Sequence, residues 1–155
     1  MKVGIGQDSH RFLKEKENKI CRIGGVEFQD VPGFDADSDG DVVYHAICNA
    51  ITSITHVHIM GDLAKKMYKQ GITDSKEYLL EAKKSLGEYK IAHISIVIEG
   101  KRPQLQSALH QMRVNIANIL DLNISEIGIT CTSGNNLDDL GSGLGMQSHC
   151  ILTII

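Results

Sequence analysis

The sequence has no long apolar run, no block of like charge and few aromatic residues. Of its 155 residues, 5% are aromatic, two are proline and none is tryptophan. No segment approaches the roughly 18 consecutive apolar residues of a membrane-spanning helix, and residues 1–8 lack the apolar core of a signal peptide. The 16 basic and 19 acidic residues are scattered and give a net charge of −3. We therefore expect a globular protein that binds neither a membrane nor a nucleic acid.

The sequence also has no Cys-x-x-Cys pair. Its four cysteines, Cys21, Cys48, Cys131 and Cys150, are far apart, which argues against a zinc finger and against a thioredoxin-like site. A chain of 155 residues buries enough surface for one core that needs no disulfide bond. We expect four reduced, mostly buried thiols in a cytoplasmic protein, with residues 1–155 forming a single domain.

Apolar residues follow strand and helix periodicities in turn. Short strands are predicted at residues 3–6, 20–23, 94–98, 127–131 and 151–155. A capping box of Ser38 and Asp41 predicts a helix that Ser38 begins, and Asp74 with Glu77 predicts the start of a second helix. A third helix is predicted at 105–119, where apolar residues recur at spacings of three and four. This order predicts an α+β or α/β domain. We favour α+β, with one mixed sheet of four or five strands and about three helices on one face.

The strongest chemical signal is Asp8-Ser9-His10, which follows the first predicted strand. Side chains two residues apart in extended backbone point the same way, so Asp8 and His10 can converge on one point. A carboxylate and an imidazole are suitable zinc ligands, and His45 on the helix begun by Ser38 is a third candidate. Asp41, four residues before His45, can share its helix face and orient its ring. From the residues alone, two interpretations remain open. Asp8, His10 and His45 can form a metal site with one free coordination position, or the two histidines can be unrelated to each other in function.

Three other motifs are less informative. The acidic loop at 35–41 resembles a calcium loop, but Ala46 stands where the twelfth-position glutamate is needed, so a helix-capping turn is favoured. The glycine run at 141–145 precedes a strand, which argues against a dinucleotide-binding loop. Residues 132–134 can form either an anion contact or an ordinary polar turn. The remaining histidines are expected in a solvated loop or without a site role: His56, His58, His93, His110 and His149.

Several motifs recur in the order and spacing of one known family. Gly6-Gln7-Asp8-Ser9-His10 matches a G-x-D-x-H start, and residues 38–46 match S-D-G-D-V-x-x-H-A. Shorter matches cover nearly the whole chain, at 23–26, 61–62, 74–75, 111–113, 132–133 and the glycines at 141, 143 and 145. The chain thus resembles the 2-C-methyl-D-erythritol 2,4-cyclodiphosphate synthase family of the non-mevalonate isoprenoid pathway.

This resemblance implies a homotrimer with active sites between adjacent subunits. It implies a phosphorus–oxygen lyase whose substrate is a cytidine diphosphate derivative, 4-diphosphocytidyl-2-C-methyl-D-erythritol 2-phosphate. The substrate would be cyclised to 2-C-methyl-D-erythritol 2,4-cyclodiphosphate with release of CMP. Asp8, His10 and His45 would bind one Zn²⁺ per subunit. A second divalent cation, Mg²⁺ or Mn²⁺, would bridge the diphosphate.

The resemblance also assigns binding positions. Asp37 and Ser133 occupy the family's catalytic positions. The positions that bind substrate correspond to Asp8, Ser9, His10, Asp37, Ser38, Asp62, Leu63, Ala64, Gly100, Lys101, Arg102, Pro103, Gln104, Leu105, Thr132, Ser133, Gly134 and Asn135.

The chain departs from the family at several of these positions. Asp37 stands where a histidine is common, and Asn135 replaces the glutamate that ligates the second cation. Gln104 replaces a lysine, for which Lys101 or Arg102 can compensate. A loop against the substrate is shortened at 63–71. Ser142 replaces an arginine at the trimer cavity, which leaves isoprenoid diphosphate binding there an open question. The alternative function is a catalytically impaired zinc-containing trimer that binds a diphosphate ligand.

Overall fold

The computed structural model describes residues 1–14 and 18–155. Four long strands form the main sheet: β1 (Lys2–Arg11), β4 (Ile91–Glu99), β5 (Ile127–Thr132) and β6 (Gly145–Ile154). Their order is β1–β6–β4–β5, with β4 and β5 parallel and β6 antiparallel to both β1 and β4. A separate hairpin consists of β2 (Cys21–Ile23) and β3 (Val26–Phe28). The predicted mixed sheet of an α+β fold is confirmed, with four strands.

In the described residues, four α-helices accompany the sheet, where about three were predicted. They are α1 (Val42–Thr55), α2 (Ala64–Lys69), α3 (Ser75–Ser85) and α4 (Leu109–Leu120). A π-helical turn (Ile59–Leu63) leads into α2, and short 3₁₀ turns precede α4 and β5. Helix α1 packs on β1 and β6, α4 packs on β5, and α3 packs on α1 and α4. Within the described ranges, no helix combines the length and the apolar character needed to cross a bilayer.

The two faces of the sheet differ in burial because strand side chains alternate between them. The face toward the helices is the core, with Ile94, Ile96, Ile98 and Leu152 at most 2% exposed. The opposite face carries apolar side chains that this chain leaves open to solvent. These are Val3 (63% exposed), Ile5 (64%), Val97 (44%) and Ile151 (48%).

Two glycines of β1 let α1 approach the sheet closely. Gly4 and Gly6 lie on the helix-facing side, and a Cβ added at either would overlap backbone atoms of α1, at Ala50 for Gly4 and at Ala46 and Ala50 for Gly6. The first turn of α1 is therefore brought beside the second half of β1.

Three predicted boundaries are wrong. Strand β1 extends to Arg11 and β6 begins at Gly145, because the two strands pair along their whole length, from Lys2–Ile154 to Arg11–Gly145. The sequence did not predict the added residues as strand because many of them are polar and interrupt the alternation of apolar and polar side chains. The N-cap of α1 is Asp41 and not Ser38: Asp41 has extended backbone and accepts bonds from the first turn. The Ser38 hydroxyl instead accepts a hydrogen bond from Gly40 N at 3.1 Å.

All four cysteines are free thiols. Cys21, Cys48 and Cys150 are buried and Cys131 is half-buried. Burial, with the Asp41 charge, raises the pKa of Cys21 to about 12, and burial raises that of Cys150 to about 12. These two thiols are therefore protonated and unreactive at neutral pH.

Candidate active site

Three side chains converge where β1 passes the first turn of α1. The His10 Nε2 atom lies 2.9 Å from Asp8 Oδ2, and His45 Nδ1 lies 3.0 Å from the same oxygen. The two ring nitrogens are 3.3 Å apart. One ligand atom from each residue lies within 4.8 Å of the others, a spacing that can enclose one metal ion. The predicted Asp8–His10–His45 set is thus brought together.

The backbone explains this convergence. Asp8 and His10 lie within β1 and not past its end, and the two-residue period places both on the helix-facing side. His45 lies in the first turn of α1 and is 2% exposed. The close approach at Gly6 brings that turn against β1. A residue larger than glycine at this point would move His45 away from the other two side chains.

Asp8 is ionised at neutral pH. Burial opposes its charge, but the hydrogen bonds and charges of His10 and His45 outweigh burial and lower the pKa of Asp8 from 3.8 to about 2. A carboxylate and two imidazoles therefore face one another in a partly buried position.

The His45 ring is oriented by Ser75. Its Nε2 atom lies 2.8 Å from Ser75 Oγ, at the start of α3, and 3.4 Å from Ser38 Oγ. Ser75 Oγ in turn donates a short hydrogen bond to Asp39, whose carboxylate also accepts from Ser75 N at 3.1 Å. Since Ser75 Oγ gives its own hydrogen to Asp39, it can accept a hydrogen bond from His45 Nε2, which leaves Nδ1 as the nitrogen that would bind a metal ion in place of its contact with Asp8.

The expected orienting role of Asp41 is not what the structure shows. Its carboxylate accepts hydrogen bonds at 2.8–3.2 Å from the backbone N–H groups of Gly24, Gly25, Val43 and Tyr44. Toward His45, Asp41 offers its backbone carbonyl, which accepts from His45 N at 3.0 Å. Asp41 therefore fixes the start of α1 and ties it to the β2–β3 hairpin. Spacing along the sequence could not find Ser75, which is 30 residues from His45 and meets it through helix packing.

The donor set fits a catalytic zinc ion. One carboxylate and two imidazoles are three ligands of the kinds zinc prefers, and three protein ligands leave one position for substrate. Asp8 is already ionised, and Ser75 fixes the tautomer of His45 in the way that hydrogen-bond partners of zinc ligands do.

Replacing Ser75 tests this orienting contact. We expect Ser75→Ala to weaken zinc affinity by about 10- to 100-fold, the usual effect of removing such a partner, because the His45 ring loses its acceptor. Ser38→Ala removes only the longer 3.4 Å contact and should change the affinity less. Zinc dissociation constants from chelator competition would be compared, with circular dichroism as the folding control. Equal affinities of Ser75→Ala and wild type would contradict the assignment.

A cavity of about 290 Å³ opens beside the three side chains. It brings Asp37 and Ser38, two of the predicted contacts, together with Asp8, His10 and His45. Its opposite wall comes from the π-helical turn and α2 and includes Met60, Gly61, Ala64, Lys65 and Tyr68. The sequence analysis assigned substrate-binding positions to Asp62, Leu63 and Ala64, of which Ala64 lines this cavity, but it treated residues 63–71 as a shortened loop and missed the helix.

The other predicted contacts form a separate group. Residues 100–105 and 132–135 follow the carboxyl ends of the parallel strands β4 and β5, where Gly100 N donates to Thr132 O at 3.0 Å. The turn positions Asn135, at φ 52°, over Ser133, whose Oγ accepts from Asn135 N at 3.2 Å. None of these residues lines the cavity at His45. Strand β1, which carries Asp8 and His10, and strand β5, which leads into residues 132–135, are the two edge strands of the sheet. One chain therefore carries two separate sets of predicted site residues.

The three remaining predicted substrate contacts, Ser9, Asp62 and Leu63, do not line the cavity at His45. Ser9 points to the other face of β1, into a cavity of about 270 Å³ with Arg11 and Asp139. Asp62, which is exposed, and Leu63, which is half-buried, belong to the π-helical turn but do not line the cavity at His45.

Known proteins share both the sequence and the fold. Residues 1–155 match the YgbB family. A relative from Chlamydia felis, named 2-C-methyl-D-erythritol 2,4-cyclodiphosphate synthase, is 52% identical and aligns with 99% of this chain and 89% of its own. One of the same name from Chlamydia trachomatis serovar L2 is also 52% identical, over 99% and 88%. With its α+β fold and Asp–His–His centre, the chain belongs to the YgbB family.

The prediction of a phosphorus–oxygen lyase of the cyclodiphosphate synthase kind is confirmed by these relatives. They give no support to the catalytically impaired alternative. Among solved structures, the bifunctional IspDF from Campylobacter jejuni has a TM-score of 0.87 at 28% identity, covering 98% of this chain, which spans 41% of that longer one. IspF from Plasmodium falciparum, in complex with CDP, has a TM-score of 0.85 at 23% identity, over 99% and 94%, and supports the fold alone.

Proposed function

We propose that this chain cyclises 4-diphosphocytidyl-2-C-methyl-D-erythritol 2-phosphate to 2-C-methyl-D-erythritol 2,4-cyclodiphosphate and releases CMP, in isoprenoid precursor biosynthesis in the cytoplasm. The observation that carries this proposal is the Asp8–His10–His45 centre beside an open cavity, in a chain 52% identical to relatives named for that product. A site built to transfer a phosphoryl group needs little covalent chemistry from the protein, and this one offers groups that position and neutralise phosphates.

In the proposed reaction, an oxygen of the substrate's 2-phosphate attacks the β-phosphorus of the diphosphate. The bond from that phosphorus to the bridging oxygen breaks, and CMP leaves with the electron pair. Asp8, His10 and His45 would hold zinc, which supplies a Lewis acid and a template for phosphate oxygens. Ser38, at the cavity, and Ser133, on the β5 turn, would donate hydroxyl hydrogen bonds that hold the reacting phosphates in line.

The two separate sets of residues favour an active site shared between subunits. The metal centre lies on β1, an edge strand, and the 100–105 and 132–135 group follows β4 and β5 and does not line the cavity at His45. In a closed ring of three copies, the β5 side of one chain can face the metal centre of the next. The exposed apolar face with Val3, Ile5, Val97 and Ile151 supplies surface that such an assembly would bury.

Oligomeric state tests the shared site. We expect a particle of about 51 kDa by light scattering, three times the 17.0 kDa chain. Val3→Lys, which places a charge on the apolar face, should shift the protein toward monomer and lower activity in parallel, while Lys84→Ala on α3 should change neither. A monomer that retains full turnover would contradict this part of the proposal.

The cytidine of the substrate would bind at residues 100–105. Pro103 and Leu105 are buried and hold this segment in place. Lys101 Nζ donates to Asn136 Oδ1 at 2.9 Å, and Arg102 Nε donates to Gly143 O at 3.0 Å. Both cations are thereby fixed near Gln104, where they can take over the charge of the family's lysine.

The second cation is proposed to be Mg²⁺ or Mn²⁺, bound between Asn135 and the diphosphate. A neutral amide oxygen should bind it more weakly than a carboxylate, by about tenfold for each 1.4 kcal/mol lost. Since Asn135 has φ 52°, aspartate is the better carboxylate variant there, because it adopts this conformation readily. We expect Asn135→Asp to bind Mn²⁺ more tightly in the presence of CDP and to need less Mg²⁺ for half-maximal rate.

Paramagnetic resonance of Mn²⁺ and a magnesium titration would measure these two quantities, with zinc content as the control that should stay constant. Asp37→Ala serves as the comparison variant. If Asn135→Asp left both midpoints unchanged and Asp37→Ala raised them sharply, the second-cation role would belong to Asp37.

Product analysis tests the proposed function itself. Phosphorus NMR of the purified protein with the proposed substrate should show two coupled resonances of a cyclic diphosphate together with one equivalent of CMP. Release of CMP with a linear product, or no turnover with zinc and magnesium supplied, would contradict it.

A further inference from the structure

The wall of the cavity opposite the metal centre is a short helix whose polar side chains have no assigned role. The chain kinks at Met60 and Gly61, where φ and ψ leave the helical region, and α2 begins at Ala64. Ile59 (1% exposed) and Met67 (7%) anchor the segment in the core on either side of the kink. The segment is therefore a folded wall that presents a fixed face to the cavity.

Helical spacing selects which side chains reach the cavity. Tyr68 follows Lys65 by three residues and Ala64 by four, so the three side chains share one face of α2. All three line the cavity with Asp8, His10 and His45. Lys66 and Lys69, on the same helix, do not line it. Of the three lysines of α2, Lys65 is therefore the one at the cavity.

Among the described residues that line this cavity, Lys65 is the one lysine or arginine. Its ammonium makes no hydrogen bond or ion pair with the described residues. By contrast, two lysines in the last turn of α3 are paired: Lys83 with Asp121 at 2.5 Å and Lys84 with Glu81 at 2.5 Å. Exposed and unpaired beside the carboxylates of Asp8 and Asp37, the Lys65 ammonium is available to an anionic ligand that enters the cavity.

Tyr68 and Tyr78 lie on the same cavity but differ in what their hydroxyls can do. Tyr78 is 1% exposed, and its hydroxyl donates to Ile72 O at 2.7 Å. Tyr68 is 43% exposed, and its hydroxyl has no hydrogen-bond partner in the described part of the chain. Tyr68 therefore keeps a free donor at the mouth of the cavity, one helical turn from the backbone of Ala64 and next to Lys65.

We propose that Lys65 and Tyr68 are substrate-binding residues of this site. Lys65 forms an ion pair with a phosphate held at the Asp8–His10–His45 centre, and Tyr68 donates a hydrogen bond to the same end of the substrate. The proposal rests on the proposed function. It also explains how a cavity lined by two carboxylates accepts a substrate with several negative charges: α2 supplies the positive charge that the protein side of the cavity otherwise lacks.

The test compares Lys65→Gln with Lys66→Gln, its neighbour on the outer side of α2. A hydrogen bond to a charged group is lost in the first variant, so kcat/KM for CMP release should fall by about 10- to 100-fold. Lys66→Gln should stay within about twofold, and Lys65→Arg should recover most of the loss. Tyr68→Phe, which removes a neutral hydrogen bond, should lower kcat/KM by about two- to tenfold. Zinc content should be equal in all variants.

Equal kcat/KM of Lys65→Gln and Lys66→Gln, with an active wild type, would overturn the proposal and leave the proposed function standing. If the wild type does not turn over the substrate, the proposed function fails, and calorimetry with inorganic pyrophosphate on the zinc-loaded protein decides the binding role separately. Weaker pyrophosphate binding by Lys65→Gln than by Lys66→Gln would then support the anion site at α2, and equal binding would overturn it.

Discussion

His45→Ala should lose the proposed zinc binding and most of the activity while the fold remains. His45 supplies one of three ligand atoms, and its ring joins β1 to α3 through Asp8 and Ser75. A Lewis acid on a phosphoryl oxygen contributes several kcal/mol to the transition state, and each 1.4 kcal/mol is about tenfold in rate. We expect CMP release to slow by about a thousandfold or more. Elemental analysis should find about one zinc per wild-type chain and far less in the variant.

His110→Ala is the matched control for that change. His110 is exposed on α4 and contributes no atom to the Asp–His–His centre. It should keep full zinc content and activity, and the circular dichroism of both variants should match that of wild type. Equal zinc in His45→Ala and wild type would show that His45 is not a ligand.

The second large effect is expected from Asp41→Ala, and it concerns stability. The Asp41 carboxylate satisfies four backbone N–H groups, two in the first turn of α1 and two in the β2–β3 hairpin. Loss of a helix cap costs about 1 kcal/mol, and each buried donor left without a partner costs about 1–3 kcal/mol. We expect the free energy of unfolding at pH 7 to fall by about 3 kcal/mol, measured by urea denaturation.

Asp74→Ala provides the comparison. Asp74 caps α3 through one bond, from Lys76 N at 2.9 Å, at an exposed position. Its loss should cost about 1 kcal/mol. A loss from Asp41→Ala no larger than that from Asp74→Ala would contradict the linking role of Asp41.

The pH dependence of the Asp41 effect has a definite sign. Burial, with the nearby Asp39 charge, raises the pKa of Asp41 from 3.8 to about 6, although the backbone N–H groups favour its ionised form. The folded protein therefore binds a proton there more tightly than the unfolded chain, so the contribution of Asp41 to stability decreases as pH rises from about 4 to about 6. The stability difference between wild type and Asp41→Ala should shrink over that range. A difference that grew with pH would contradict the raised pKa.

Local patterns predicted the parts of the fold that depend on local chemistry. Asp74 does cap α3, with its side chain bonded to Lys76 N, and the alternation at 94–98 does mark a strand buried on one face. Asp8 and His10 could be paired from the sequence because the strand period of two alone places them together. His45 was a third candidate from the sequence, and the family resemblance was needed to choose it over the other histidines.

Other features depend on which elements pack together, and the sequence does not contain that information locally. Ser75 orients His45 only because α3 packs on α1. Helix spacing suggested that Asp41 orients His45, but its carboxylate binds the first turn of α1 and the distant β2–β3 hairpin. Helix α2 was missed since its six residues show no apolar repeat beyond the buried Met67. The role suggested here for Lys65 follows from the place of that helix in the fold.

The central claim is that the Asp8–His10–His45 centre binds a metal ion required for cyclisation. Its most direct test removes metal from the purified protein with a chelator, then restores zinc and magnesium separately and together while CMP release is followed. We predict no CMP release from the metal-free protein, little with magnesium alone, and full recovery when about one zinc per chain is added with magnesium. Undiminished CMP release by protein that elemental analysis shows to be free of zinc would contradict the account.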